Sequence, residues 1–163
     1  MDPVASRPFM PGYGVVGPDQ GSGLLPWSWA EERLAASRYY WVATVWPDGR
    51  PHVTPVWGTW DDDAVWFSCS PGSRKARNLG ADARCAVTTE DAVRPVILEG
   101  MAERQSDRAG AERFAEQLTA KYGEDISVDF VLDNALYRVA PIWAFGLDEE
   151  DFTGSPTRWA PSG

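Results

Sequence analysis

The sequence is poor in the residues that build metal centres and disulfide frameworks. It has one histidine, His52, so no Cys/His set at metal-ligand spacing exists. Its two cysteines, Cys69 and Cys85, fall in predicted strands, and two buried free thiols fit them better than a disulfide. No apolar run is long enough to cross a bilayer, and the first residues lack the charged, then apolar, then small-residue order of a signal peptide. A cytoplasmic protein with no membrane partner is expected. Basic residues are also few: 15 Lys and Arg stand against 24 Asp and Glu, a net charge of −9. That balance argues against nucleic-acid binding, where a basic face supplies most of the affinity. No Walker loop and no Gly-x-Ser-x-Gly elbow occurs, which removes two common nucleotide and hydrolase motifs.

What the chain does have is tryptophan, nine in 163 residues. Most are expected to anchor a core or a subunit contact. Residues 1–26 are rich in Pro and Gly and read as an irregular arm; residues 27–163 read as one domain. Ser28 and Glu31 have capping-box spacing, predicting a helix over 28–37. β-Branched and aromatic runs then predict strands over 39–46, 52–60 and 64–70, joined by the turns Pro47-Asp48-Gly49-Arg50 and Asp61-Asp62-Asp63. Further strands are predicted over 84–89, 95–104 (with a bulge at Gly100) and 136–147, and a helix from Ser106 to Gly123. The segment 126–134 reads as a turn of helix or a loop. About six strands with tight turns imply a mostly β protein, a closed or split antiparallel barrel with helices attached.

One segment carries chemistry. Ser68-Cys-Ser-Pro-Gly-Ser-Arg-Lys-Ala-Arg-Asn-Leu79 reads as a strand end, a Pro-Gly turn, a Ser cap and a helix start. Arg74, Lys75 and Arg77 lie in that first turn, where unpaired N–H groups and the macrodipole already make the end positive. An anion, such as a phosphate, would gather the N–H groups, the hydroxyls and the cations. A solvated basic helix start fits the residues equally well. For acid–base work the candidates are His52, beside a proline near the barrel rim, and Tyr39. Trp57 and Trp159 are candidates to flank a flat aromatic ligand.

In order along the chain, Asp48-Gly-Arg-Pro-His-Val-Thr-Pro-Val-Trp57, Val65-Trp-Phe-Ser68, Ser73-Arg-Lys-Ala-Arg-Asn-Leu79, Glu99-Gly100 and Thr157-Arg-Trp159 resemble the pyridoxamine 5′-phosphate oxidase-like split barrels. Within them the chain is most similar to the actinobacterial flavin/deazaflavin (F420) oxidoreductases. The resemblance implies a six-stranded split barrel, a homodimer and two cofactor clefts between subunits, each holding FMN or F420. Val53, Pro55, Val56 and Trp57 would form one wall. The phosphate would lie among Ser68, Ser70, Ser73, Arg74, Lys75, Arg77 and Asn78. Arg158 and Trp159 would approach from the partner chain. The function implied is hydride transfer to or from a small organic molecule; the alternative is a carrier of flavin, F420 or haem without turnover. True pyridoxamine phosphate oxidases use an Arg-x-His pair near the C-terminus, and no histidine follows His52, so pyridoxamine phosphate is not the expected substrate.

Overall fold

The computed structural model describes residues 2–162. Eight strands and four α-helices follow one another: β1 (Val4–Ser6), α1 (Trp27–Ala36), β2 (Tyr39–Val45), β3 (Pro51–Asp61), β4 (Ala64–Cys69), α2 (Arg74–Ala81), β5 (Arg84–Thr89), β6 (Val96–Gln105), α3 (Arg108–Tyr122), α4 (Val128–Asp133), β7 (Ala135–Gly146) and β8 (Thr157–Ala160).

The strands pair antiparallel in the order β1-β8-β7-β4-β3-β2-β5-β6, and β6 pairs back onto β7. β2 to β7 therefore close into a six-stranded barrel, with β8 and β1 added outside. Closure leaves few free edges for strands this rich in Val and aromatic residues. Alternation along each strand sends Tyr40, Val42, Phe67, Val87, Leu98 and Val139 inward to one core. α1 closes that core with Trp27, Ala30 and Leu34. A second cluster, including Trp66, Phe114, Leu118 and Val131, lies under α3 and α4.

Two irregularities shape the barrel. β4 pairs with β3 only from Gly58↔Phe67 to Asp61↔Ala64. Before Gly58, β3 is paired with β2 alone, from Pro51↔Val45 to Trp57↔Tyr39. The sheet thus splits between β3 and the end of β4. The second irregularity is a register shift in the β6–β7 ladder at Glu99/Gly100, the expected bulge. A Cβ at Gly100 would collide with the Ala140 carbonyl, so only glycine fits.

Several local expectations shift. α1 begins at Trp27 after Pro26, and no side chain caps it. Ser28 lies inside the helix: Pro26, in extended conformation, is the N-cap, and Trp27 in the first turn is buried in the core. α3 is capped by Asp107, which accepts from Gly110 N–H at 2.8 Å, one residue later than Ser106. The segment 126–134 contains the short helix α4. The arm carries strand β1 and is tied down: Arg7 donates to the carbonyls of Pro156, Gly17 and Gln20 at 2.8 to 3.1 Å. Gly12, Gly14 and Gly17 stand at Gly-x-Gly-x-x-Gly spacing, but they lie in the turns of this arm and open no helix, so they form no dinucleotide cradle.

Candidate functional site

The Ser70-Pro-Gly-Ser73 turn ends β4 and opens α2, with Ser73 N–H donating to Ser70 O at 3.0 Å. Ser73 is the N-cap; its hydroxyl accepts from Ala76 N–H at 3.3 Å. The N–H groups of Arg74 and Lys75 have no intrahelical acceptor, as at any helix start. Among the described residues, Arg74, Lys75 and Arg77 make no ion pair, although carboxylates outnumber cations 24 to 15. Arg74 stacks over Trp46 at 3.8 Å and reaches Asn78 Oδ1 at 3.5 Å. Arg50 lies 4.4 Å from the same indole. Asn78 is fully buried and donates from Nδ2 to Thr44 Oγ1 at 3.0 Å. Its amide ties α2 to β2 rather than reaching outward. Ser70 is exposed and Ser68 half-buried on the free end of β4.

On β3 the expected wall divides by strand alternation. Val53 and Trp57 are 54% and 40% exposed, and Pro55 shares their face. Val56 points into the core, so only its backbone belongs to a wall. His52 is half-buried, edge-on to Trp46 at 6.2 Å, and its Nδ1 is buried without a partner. Tyr39 pairs across from Trp57, whereas Thr44 pairs across from His52. His52 and Tyr39 therefore sit at opposite ends of the β2–β3 ribbon, about 17 Å apart, too far to share a proton transfer.

The tail behaves differently from the expectation. Trp159 is 1% exposed and fills its own chain's core. It stacks on Trp29 at 6.4 Å, meets Trp27 edge-on at 5.7 Å, and donates to Leu25 O at 3.1 Å. Its neighbour Arg158 is exposed and lies 5.7 Å over Trp143. Alternation on β8 thus separates the two: Arg158 remains available to a ligand and Trp159 does not.

The far end of the ribbon holds a cluster that no sequence motif marks. Trp57 stacks on Tyr122 at the end of α3, with ring centroids 4.2 Å apart. Gly58 N–H donates to the Tyr122 hydroxyl at 3.0 Å, and that hydroxyl donates to Arg38 O. Lys121 Nζ donates to Gly58 O at 2.7 Å and to Tyr40 Oη at 3.4 Å. Burial pulls the Lys121 ammonium down from 10.5 to about 8. Gly58, where the sheet splits, is held at both its N–H and its carbonyl. A Cβ there would stand 2.7 Å from Trp66 O.

The outer face of β2, β3, β6 and β7 carries exposed Trp41, Val45, Val53, Met101 and Ile142. A depression of about 600 Å³ on it is lined by Ala43, Val45, Pro51, Met101, Ile142 and Trp143. Among the described residues, no helix is long and apolar enough to cross a membrane, and no cluster of metal-binding side chains occurs.

These features define a split β-barrel protein with a basic helix start beside the split. The family profile described as pyridoxamine 5′-phosphate oxidase matches residues 29–143, and the chain belongs to that family. No sequence match was found among curated proteins. Among solved structures, the conserved hypothetical protein Rv2991 from Mycobacterium tuberculosis is similar with a TM-score of 0.71 at 24% identity, over 78% of this chain and 87% of that one. An F420 reductase is similar with a TM-score of 0.57 at 28% identity, over 68% of this chain and 91% of that one. The haem storage protein HutZ from Vibrio cholerae shares the fold, with a TM-score of 0.59 at 21% identity, over 69% and 87% of the two chains.

Proposed function

We propose that this protein is an oxidoreductase that holds FMN or F420 and moves a hydride between that cofactor and a small organic molecule. The observation that carries the reading is the set of three cations, Arg74, Lys75 and Arg77, without carboxylate partners among the described residues, at an open helix start beside the split. An acidic protein that leaves three neighbouring cations unneutralised has a place for a ligand anion, and a phosphate matches the N–H, hydroxyl and guanidinium donors present. When bound, the cofactor supplies the redox chemistry. Lys75 and Arg77 neutralise its phosphate, Ser70 and Ser73 donate hydroxyl hydrogen bonds, and Trp46 with Asn78 holds the Arg74 guanidinium in position. Val53 and Pro55 provide the wall along which the ring lies, and Trp57 stands at its far end. The similarity to an F420 reductase supports this class of cofactor.

The working unit in this reading is a homodimer. The exposed apolar face of β2, β3, β6 and β7 is a surface that a second copy would cover, and Arg158 reaches the site from the partner chain. The haem storage protein that shares this fold favours one further reading, a carrier that binds flavin, F420 or haem without turnover.

Titration of the purified protein with FMN, F420 and haem tests the first claim. Saturable uptake of FMN or F420 is expected, with haem binding weaker. Steady-state oxidation or reduction of the bound cofactor by small acceptors separates enzyme from carrier. Sedimentation velocity reports the dimer.

A further inference from the structure

The β2–β3 ribbon has a cationic pole at each end. One is the α2 start, tied to β2 through Asn78 and Thr44. The other lies about 17 Å along the strands, where Tyr39 pairs with Trp57. There Arg38 lies 5.6 Å from the Tyr39 ring and 5.1 Å from the Tyr122 ring. Lys121 lies 5.4 Å from Tyr122. Neither cation pairs with a carboxylate among the described residues. Glu90 is the acid nearby, and its Oε1 accepts from the backbone N–H of Arg38 at 3.1 Å, not from the guanidinium. Lys121 has three N–H donors, of which two are engaged. Arg38 uses Nε on Tyr39 Oη and one terminal nitrogen on Lys121 O, leaving the other free. Tyr122 covers one face of the Trp57 indole, which is still 40% exposed. The end of the ribbon is therefore an aromatic surface bordered by two cations with spare donors.

We infer that Trp57, Tyr122, Arg38 and Lys121 form the acceptor end of the site and select a planar, conjugated molecule that bears a carboxylate. The inference rests on the reading of the α2 start as the phosphate pole, since a ring directed along the ribbon from there points at Trp57. The planar body stacks on the indole. The carboxylate takes the free guanidinium nitrogen of Arg38 and the third N–H of Lys121, a pair of charge-assisted hydrogen bonds that an uncharged analogue cannot form. Burial of the Lys121 ammonium strengthens the demand for an anion beside it.

Cinnamate and its uncharged analogue cinnamamide are the probes. Calorimetric titration of the full-length protein at pH 7, with and without saturating cofactor, is expected to give cinnamate at least about tenfold the affinity of cinnamamide. The preference should vanish in Arg38→Gln/Lys121→Met. It should shrink in Arg38→Gln alone, which leaves the hold on Gly58 intact and so guards against a folding defect. It should survive in Lys75→Ala/Arg77→Ala. Equal affinities in the unmodified protein overturn the inference, as does a preference that persists without Arg38 and Lys121 or is abolished by removing Lys75 and Arg77. Failure to take up FMN or F420 alongside a normal cinnamate preference would sink the cofactor reading and leave this acid-binding end standing.

Discussion

The indole of Trp57 and the phenol of Tyr122 lie face to face, 4.2 Å between centroids and 7° from parallel. This contact joins the end of α3 to the open wall of β3, and the Tyr122 hydroxyl anchors it through Gly58 N–H and Arg38 O. Tyr122→Phe keeps the stack and removes the hydroxyl. It should cost about 1–3 kcal/mol, the penalty for leaving buried backbone groups unpaired. Trp57→Ala loses the stack, worth about 0.5–1.5 kcal/mol beyond buried area, and should weaken ligand binding besides. Urea unfolding of both variants, with ligand titration of each, separates the structural hydroxyl from the exposed ring.

Lys75→Ala/Arg77→Ala should lower affinity for FMN and F420 by roughly ten- to several-hundredfold, since each charge-assisted hydrogen bond contributes about 1.5–3 kcal/mol and Arg77 is solvent-exposed. Added salt should weaken binding to the unmodified protein more than to the variant. Unchanged affinity for both cofactors removes the phosphate assignment.

Trp159→Ala should destabilise the chain by about 3–5 kcal/mol, as for other large aromatic truncations in a packed core. The indole contacts Trp27 and Trp29, and its N–H is the donor to Leu25 O. Arg158→Ala, one residue away on the exposed side of β8, should leave the melting temperature nearly unchanged. Differential scanning calorimetry checks the contrast; equal melting temperatures for the two variants would return Trp159 to the ligand side.

Lys121 predicts a pH effect with a definite sign. Its ammonium falls from 10.5 in the ordinary case to about 8 in the fold, through burial. Between those values the unfolded chain binds more protons than the native one, so this residue's contribution to stability rises with pH across the window. Below about 8 both states are protonated and the cost of burying the charge is fully present. Cys85, pushed up to about 12 by burial, acts in the opposite sense above its ordinary 9. It is common to both proteins when unmodified protein is compared with Lys121→Met. Denaturant unfolding from pH 7 to 10 should show the unmodified protein gaining on the variant as pH rises. A constant gap would mean that Lys121 keeps an ordinary ammonium.

The barrel was legible because its signals are local. β-Branched runs, Asp-Gly and triple-Asp turns, and a Gly at the bulge each act within a few residues, and β5 falls on the predicted 84–89. The α2 start was legible for the same reason: Ser73 caps it as the turn chemistry requires. The rest depends on contacts between distant parts of the chain. Trp159 reads as a tail residue that flanks a ligand until the C-terminal strand pairs with β7 and reaches Leu25, 134 residues earlier. Val56 reads as a wall residue until strand register turns it inward. Lys121 and Tyr122 look like an ordinary helix end, and only the docking of α3 on β3 gives them Gly58 to hold. His52 and Tyr39 lie thirteen positions apart in sequence, yet the hairpin sends them to opposite ends of the ribbon.

The split between β3 and β4 also bears on how the protein avoids its own kind. An unpaired strand edge invites another strand to add to it, the route to aggregation. Proline is tolerated in a ladder where its missing N–H faces away from the partner strand. Pro51 and Pro55, both paired with β2, therefore present their missing donors to the open side of β3. An arriving strand would find every other donor position empty, while the carbonyls of Pro51, Val53 and Pro55 and the N–H groups of Val53 and Trp57 remain on that edge. The same two prolines that deny the edge to a polypeptide leave it open to a small molecule, which needs only one or two of those groups.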